Sequence, residues 1–255
     1  IELGYGIIES GYSTEIPIEK IFLRIEEKLL LINNQKQKKV FSSSAEILTQ
    51  ILEEIKEKLR TARLPGLLSS FSDLDAITQG FHKSDLIIIA GRPSMGKTAF
   101  SLTLAKNIAT KFAITVVFFS LEMTKEQLLY RLLSTETLIS HTKLRSGRIS
   151  REEWVHVNDA ISTLSDLSLY IDDTPNISVS EMLFKIKRLK QTKEKPLGAI
   201  FIDYLQLLED LEKNDNRVQE LSKITRGLKK LARELNVPLI VMSQLSRNVE
   251  TRTNK

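Results

Sequence analysis

Between residues 86 and 100 the chain reads LIIIAGRPSMGKTAF. The part from Gly91 to Thr98 fits G-x-x-x-x-G-K-[ST], the pattern of a phosphate-binding loop. Its chemistry follows from residue type. Gly91 and Gly96 permit backbone angles that turn successive N–H groups inward around an anion. A helix that starts here adds its positive N-terminal end. Lys97 supplies a cation for the β- and γ-phosphates, and the Thr98 hydroxyl is a ligand for Mg²⁺. The expected nucleotide-binding set is Gly91, Arg92, Pro93, Ser94, Met95, Gly96, Lys97, Thr98 and Ala99, with ATP and Mg²⁺ as the implied substrate and ion.

Such a loop needs a second metal contact and a means of handling the attacking water. GAIFIDYLQLL is an apolar run in which Asp203 ends the strand. A carboxylate at that edge faces the ligand crevice and is expected to hold Mg²⁺ with Thr98, through water; the other reading is a cap on the next turn. VVFFSLEM puts Glu122 just past another buried strand, in the place of a general base. Glu122 would serve equally as a favourable first-turn charge on the following helix. VPLIVMSQLSR places Gln244 after a third strand, where its amide either contacts the γ-phosphate or bonds loop backbone. Lys97, Glu122 and Gln244 are thus the candidate catalytic residues, and Thr98 and Asp203 the candidate metal ligands.

These residues share an edge only if the intervening elements are arranged as a parallel sheet. Short apolar runs at 86–90, 115–120, 168–171, 199–203 and 237–242 read as strands, the first fully buried. Helical patterns fill 97–110, 124–138, 151–164, 178–192 and 216–235. That alternation predicts an α/β fold, a mostly parallel twisted sheet with helices on both faces. Upstream, residues 1–14 read as a flexible linker. Ile18, Phe22, Ile25, Leu29 and Ile32 draw one stripe along an amphipathic helix, which must be buried in its own domain or on a neighbouring subunit. Ser43 and Glu46 fit a capping box ahead of a second helix, with Ile47, Ile51, Ile55 and Leu59 on one face. The expected division is 1–40, linker and helix, and 41–255, the main domain. LPGLLSSFSDLDAITQGF reads as a turn-rich approach to the core.

Composition narrows the classes. The 255 residues are 42% hydrophobic and 27% charged, as in a globular protein. No run approaches the roughly 18 apolar residues of a membrane span, and no leader is visible at the N-terminus. A first residue of Ile1 suggests a piece of a longer chain. Cysteine is absent, which excludes disulfides and thiolate metal sites. His82, His141 and His156 show no ligand spacing. Net charge is +5 and the pI about 9.2, compatible with a polyanionic partner.

Taken together, DLIIIAGRPSMGKTAF, FFSLEM, LYIDDTP, FIDYLQLL and VPLIVMSQLSRNVE resemble the C-terminal motor domain of DnaB-type replicative DNA helicases, from about Phe71 onward. The resemblance implies a RecA-like P-loop ATPase, truncated at its C-terminus, working as a hexameric ring that unwinds forked DNA 5′–3′ along a single strand. It implies that Lys97 and Thr98 bind nucleotide and metal, Glu122 is the catalytic base, Asp203 positions the metal and Gln244 senses the γ-phosphate. IEKIFLRIEEKLLLI is similar to the family's linker helix, which packs on the adjacent subunit. A primase and a helicase loader are the implied partners. The family's basic finger would lie beyond Lys255, and neither Arg247 nor Arg252 is assigned that role. The family's N-terminal collar is expected to be absent.

DNA contacts are less defined. Asn216 and Arg217 are candidates for the central channel or for a solvated helix start, and KIKRLKQTKEK at 185–195 reads as a solvated face. Abundant Ile, Leu, Lys, Ser and Asn suit an AT-rich genome, so a plastid stroma or a bacterial nucleoid is expected. Two other readings compete: a RecA-like DNA-dependent ATPase of recombination or repair without unwinding, and a nucleotide-gated assembly protein with little turnover.

Overall fold

The structure is a computed structural model, which defines residues 43–61, 66–208 and 217–245. The chain falls into two compact units, 1–63 and 64–255, each taken by itself. In the first, helix α1 (Ser44–Thr61) begins at the expected capping box: the Glu46 N–H donates to Ser43 Oγ and the Ser43 N–H to Glu46 Oε2. Ile47, Ile51 and Ile55 are exposed along it. The stripe from Ile18 to Ile32 lies outside the described residues.

The second unit contains α2 (Ser72–Thr78), β1 (Leu86–Gly91), α3 (Lys97–Phe112), β2 (Thr115–Ser120), α4 (Lys125–Thr137), α5 (His141–Ser146) and α6 (Arg151–Ser165). These are followed by β3 (Leu169–Asp172), α7 (Val179–Thr192), β4 (Leu197–Asp203), a 3₁₀ turn (Leu205–Leu207), α8 (Arg217–Leu235) and β5 (Leu239–Gln244). The five strands form one sheet in the order β1-β5-β4-β2-β3, parallel throughout. This is the expected α/β architecture.

Strand period 2 sorts the core into two layers. Val117, Phe119, Ile200, Ile202, Leu239 and Val241 face Met182 and Ile186 of α7 and Ile224, Leu228 and Leu231 of α8. Their sequence neighbours Val116, Phe118, Phe201, Ile240 and Met242 face Leu102, Leu104 and Ile108 of α3 and Leu128 and Leu132 of α4. Phe118 and Phe201 stack with ring centroids 6.0 Å apart. Both faces being covered, the central strands are continuous apolar runs rather than alternating ones.

Four expectations change. β1 is not fully buried: among the described residues it has a strand on one side alone, and Ile88 is 49% exposed. β5 runs two residues further than expected, so Gln244 is its last residue rather than part of a following loop. Pro238 lacks an N–H, which moves the start of the ladder to Leu239. Two short helices, α2 and α5, occupy stretches with no assigned helix. The run at 185–195 is not simply a solvated face: Lys185 pairs with Asp172 and Lys187 with Glu234, while Lys193 sits 5.1 Å over the Tyr170 ring.

The entry to β1 is held by Asp75 of α2. One carboxylate oxygen accepts both the N–H and the hydroxyl of buried Ser69 at 2.7 Å, and the other accepts the Ser70 N–H at 3.1 Å. The Ser69 carbonyl in turn accepts from Asn107 of α3. Asp75→Ala would leave the buried Ser69 N–H without an acceptor and its hydroxyl with only the Phe71 carbonyl at 3.4 Å, so its expected cost is about 1–3 kcal/mol, checked by the urea midpoint of unfolding.

Candidate active site

Crossover β1–α3–β2 covers one face of the sheet and β4–α8–β5 the other. Such a switch point opens a crevice at the carboxyl edge of the strands. Register aligns the edge: Gly91 is opposite Gln244, and Ser120 is opposite Asp203.

Of the two glycines expected to turn the loop, Gly96 does so, whereas Gly91 ends β1 in ordinary strand conformation and Ser94 takes the other left-handed position. Ser94 and Gly96 adopt positive φ, 62° and 82°, as an anion nest requires. Gly91 gives the Lys97 stem room to lie over the loop: a Cβ there would be 3.0 Å from Lys97 Cγ and would push the stem aside. The Lys97 ammonium donates to the Gly91 and Arg92 carbonyls at 3.0 and 3.2 Å. Pro93, Ser94 and Met95 are exposed at the rim, and Ala99 is on the first turn of α3.

Helix α3 starts differently from its neighbours. Thr124, Ser150 and Ser178 cap α4, α6 and α7 in full capping boxes, and Ser140 caps α5. At α3, Gly96 provides no side-chain cap and the first turn has no acidic residue. Its orphan N–H groups are available for an anion.

Thr98 and Asp203, 105 residues apart in sequence, are joined directly: the hydroxyl donates to Asp203 Oδ2 at 2.5 Å. Asp203 is 1% exposed, and its Oδ1 is buried with no hydrogen-bond partner. Burial pushes the carboxyl above its ordinary value. The Thr98 hydrogen bond opposes that shift, the nearby Glu122 charge adds to it, and Lys97 and Arg131 oppose it. A carboxylate with one unsatisfied buried oxygen beside a hydroxyl is a fitting half-shell for Mg²⁺, which keeps several waters and phosphate oxygens of its own. Among the described residues no cluster of three His, Cys, Asp or Glu could hold a metal, so the fit is to a nucleotide-borne ion and not to an all-protein cage.

Glu122 is exposed, two residues past β2. Its segment is braced: the Leu121 N–H donates to the Asp203 carbonyl, the Ser120 hydroxyl to the Met123 carbonyl at 2.6 Å, and the Lys125 N–H to Asp173 Oδ2. Burial, then the Glu122 and Asp203 charges, raise the Tyr204 phenol above its ordinary value. The Glu122 charge thus acts on both Asp203 and Tyr204. Glu122 lies ahead of α4, whose cap is Thr124 and whose first-turn acid is Glu126.

Sequence reasoning missed Gln206. From the 3₁₀ turn its amide nitrogen donates to the Gln244 carbonyl and to Ser243 Oγ, both at 3.0 Å, and its oxygen accepts the Gln244 N–H at 3.1 Å. The one hint in the sequence is an amide interrupting an apolar run. Of the DNA candidates, Arg217 opens α8 and Asn216 lies outside the described residues, as do Arg247 and Arg252. A concavity of about 450 Å³ between the ends of α4 and α6 is lined by Glu136, His156 and Asp159; it holds none of the candidate site residues.

A five-stranded parallel sheet with a phosphate loop between β1 and α3 defines the RecA-like P-loop class. The sequence matches the DnaB-like helicase C terminal domain over residues 66–255, and the chain belongs to that family. It is 51% identical to a probable replicative DNA helicase of Trieres chinensis, over all of this chain and 56% of the relative. It is 50% identical to the replicative DNA helicase DnaB of a Nostoc strain, over all of this chain and 29% of the relative. The chain thus spans about half or less of these relatives. Among solved structures, one described as an ATPase domain superposes with a TM-score of 0.78 at 38% identity, covering 84% of this chain and 75% of that one. A DnaB-like replicative helicase, described with its interactions with primase, gives 0.73 at 34% identity, covering 99% and 59%.

Asp203 also sets a pH dependence. As pH rises through the ordinary carboxylate range the unfolded chain loses this proton first, so the folded protein is progressively penalised until its own, higher value is passed. Asp203→Asn should therefore raise the melting temperature of the nucleotide-free protein at neutral pH, by on the order of 2–4 °C for each kcal/mol relieved. The gain should vanish on acidification towards the ordinary carboxylate value, followed by calorimetry across pH.

Proposed function

We propose that this chain is the ATPase motor of a replicative DNA helicase that unwinds forked DNA 5′–3′ as a homohexamer. The observation that carries the reading is the Thr98–Asp203 contact at 2.5 Å, beside an uncapped helix start and the Lys97 ammonium. Family membership and the named relatives support the helicase assignment.

In this reading the N–H groups of residues 94–98, at the loop tip and the α3 N-terminus, wrap the triphosphate. Lys97 leaves the loop carbonyls for the β- and γ-phosphate oxygens. Thr98 and Asp203 would hold Mg²⁺, which would supply neutralisation of the charge developing on those oxygens. Glu122 orients a water and accepts its proton as the new oxygen–phosphorus bond forms and the bond to the β-phosphate oxygen breaks, giving ADP and phosphate. The Gln244 amide contacts the γ-phosphate from the end of β5. An exposed rim at Pro93, Ser94 and Met95 suits a site completed by a neighbouring subunit.

Assembly through the segment 15–35, a primase partner and a loader belong to the same proposal; the solved relative described with primase supports the second. The division at residue 40 is likewise proposed; by compactness α1 goes with the first unit. No described helix is long and apolar enough to cross a membrane. Relatives from Trieres chinensis and Guillardia theta support a plastid stroma, and the bacterial relatives a nucleoid; both settings belong to the proposal.

The test uses the full-length protein. Lys97→Ala should lose nucleotide binding and hydrolysis together. Glu122→Gln should retain ATP binding while kcat falls by roughly 10²–10⁴-fold, the usual contribution of a positioned base. ATP-driven unwinding of a fork with a 5′ tail, absent in both variants, checks the motor; an undiminished rate in Glu122→Gln would remove that residue from the mechanism, and wild-type turnover without unwinding would favour the mediator reading.

A further inference from the structure

The β4–β5 ladder pairs Ile200, Phe201 and Ile202 with Leu239, Ile240 and Val241, and its register goes no further. β5 nevertheless continues to Gln244, held on its other side by β1 through the Gly91 pairing and by the Leu245 N–H donating to the Gly91 carbonyl at 3.1 Å. On the β4 side, backbone is replaced by one side chain. A primary amide carries an acceptor and a donor side by side, as a peptide group does. Gln206 uses both on the Gln244 peptide groups, accepting at 3.1 Å and donating at 3.0 Å, with a further bond to Ser243 Oγ. It acts as the missing rung.

The rung has a specific position. Gln206 is three residues past Asp203, in the turn that follows β4, whereas Gln244 is opposite Gly91, whose carbonyl also receives Lys97. The amide therefore fixes the end of β5 relative to both the metal-binding carboxylate and the phosphate loop. We propose that Gln206 is a positioning residue that aims the Gln244 side chain at the γ-phosphate, so that the site distinguishes triphosphate from diphosphate. This rests on the nucleotide-hydrolysis reading above.

Chemistry selects the variants. Gln206→Met keeps length and bulk but neither hydrogen-bonding group. Gln206→Glu keeps the acceptor for the Gln244 N–H but sets a carboxylate oxygen against the Gln244 carbonyl. A displacement of about 1 Å near reacting groups costs on the order of 10²-fold in rate. In full-length protein, Gln206→Met should lower kcat by roughly 10–100-fold, leave ADP affinity unchanged, and abolish the tighter binding of ATP relative to ADP. In a Gln244→Ala background it should cause no further loss, because both changes remove one function. Gln206→Glu should show the same split, and it serves if the Met variant fails to fold.

Unchanged kcat in a folded Gln206 variant, additive losses with Gln244→Ala, or a parallel fall in ADP affinity and thermal stability with ATP preference retained would each overturn the proposal. Wild-type protein that hydrolyses no ATP would overturn the site reading and this proposal with it, whereas an active wild type with indifferent Gln206 variants would overturn this proposal alone.

Discussion

One hydrogen bond organises the candidate site: the Thr98 hydroxyl on Asp203. The strands leading to the two residues are not neighbours, because β5 lies between β1 and β4. The contact can form only where the carboxyl ends of these strands are level, and the register of the sheet keeps them level. It also requires α3 to begin directly above that edge, which the left-handed turn at Gly96 allows. Loop, helix start and acidic strand end are therefore mutually dependent, and displacement of any one would separate donor from acceptor.

That arrangement has a local cost. A carboxyl group at 1% exposure is expensive to ionise, and a nearby like charge on Glu122 worsens it. The two apolar layers, one on each face of the sheet, must stabilise the fold enough to tolerate it. A partly unsatisfied acidic group in a well-packed protein is a usual mark of a site built for a charged ligand.

Much of this is legible in sequence, for physical reasons. Central strands covered on both faces must be apolar throughout, so β2, β4 and β5 stand out as runs. The phosphate loop is readable because glycines, Lys97 and Thr98 answer to backbone angle and charge, which are local. What cannot be read is non-local. Ile88 looks like a core residue because its neighbours are apolar, and only strand order reveals β1 as marginal. The end of β5 depends on pairing with Gly91, which lies far upstream in the chain. Gln206 bonds residues 37 and 38 positions away, and no periodicity encodes that. The short helices α2 and α5 are below the length at which a 3.6-residue pattern separates from a turn.

The marginal place of β1 has a mechanical meaning. The strand that ends in the phosphate loop is tethered laterally on one flank among the described residues, and its other flank offers backbone donors and acceptors in a row. An extended segment laid along that flank would stiffen the strand, and the loop at its tip would feel the change through a single stretch of main chain. A strand added there would act on the cradle through main chain alone, separately from anything that touches Asp203 or Glu122.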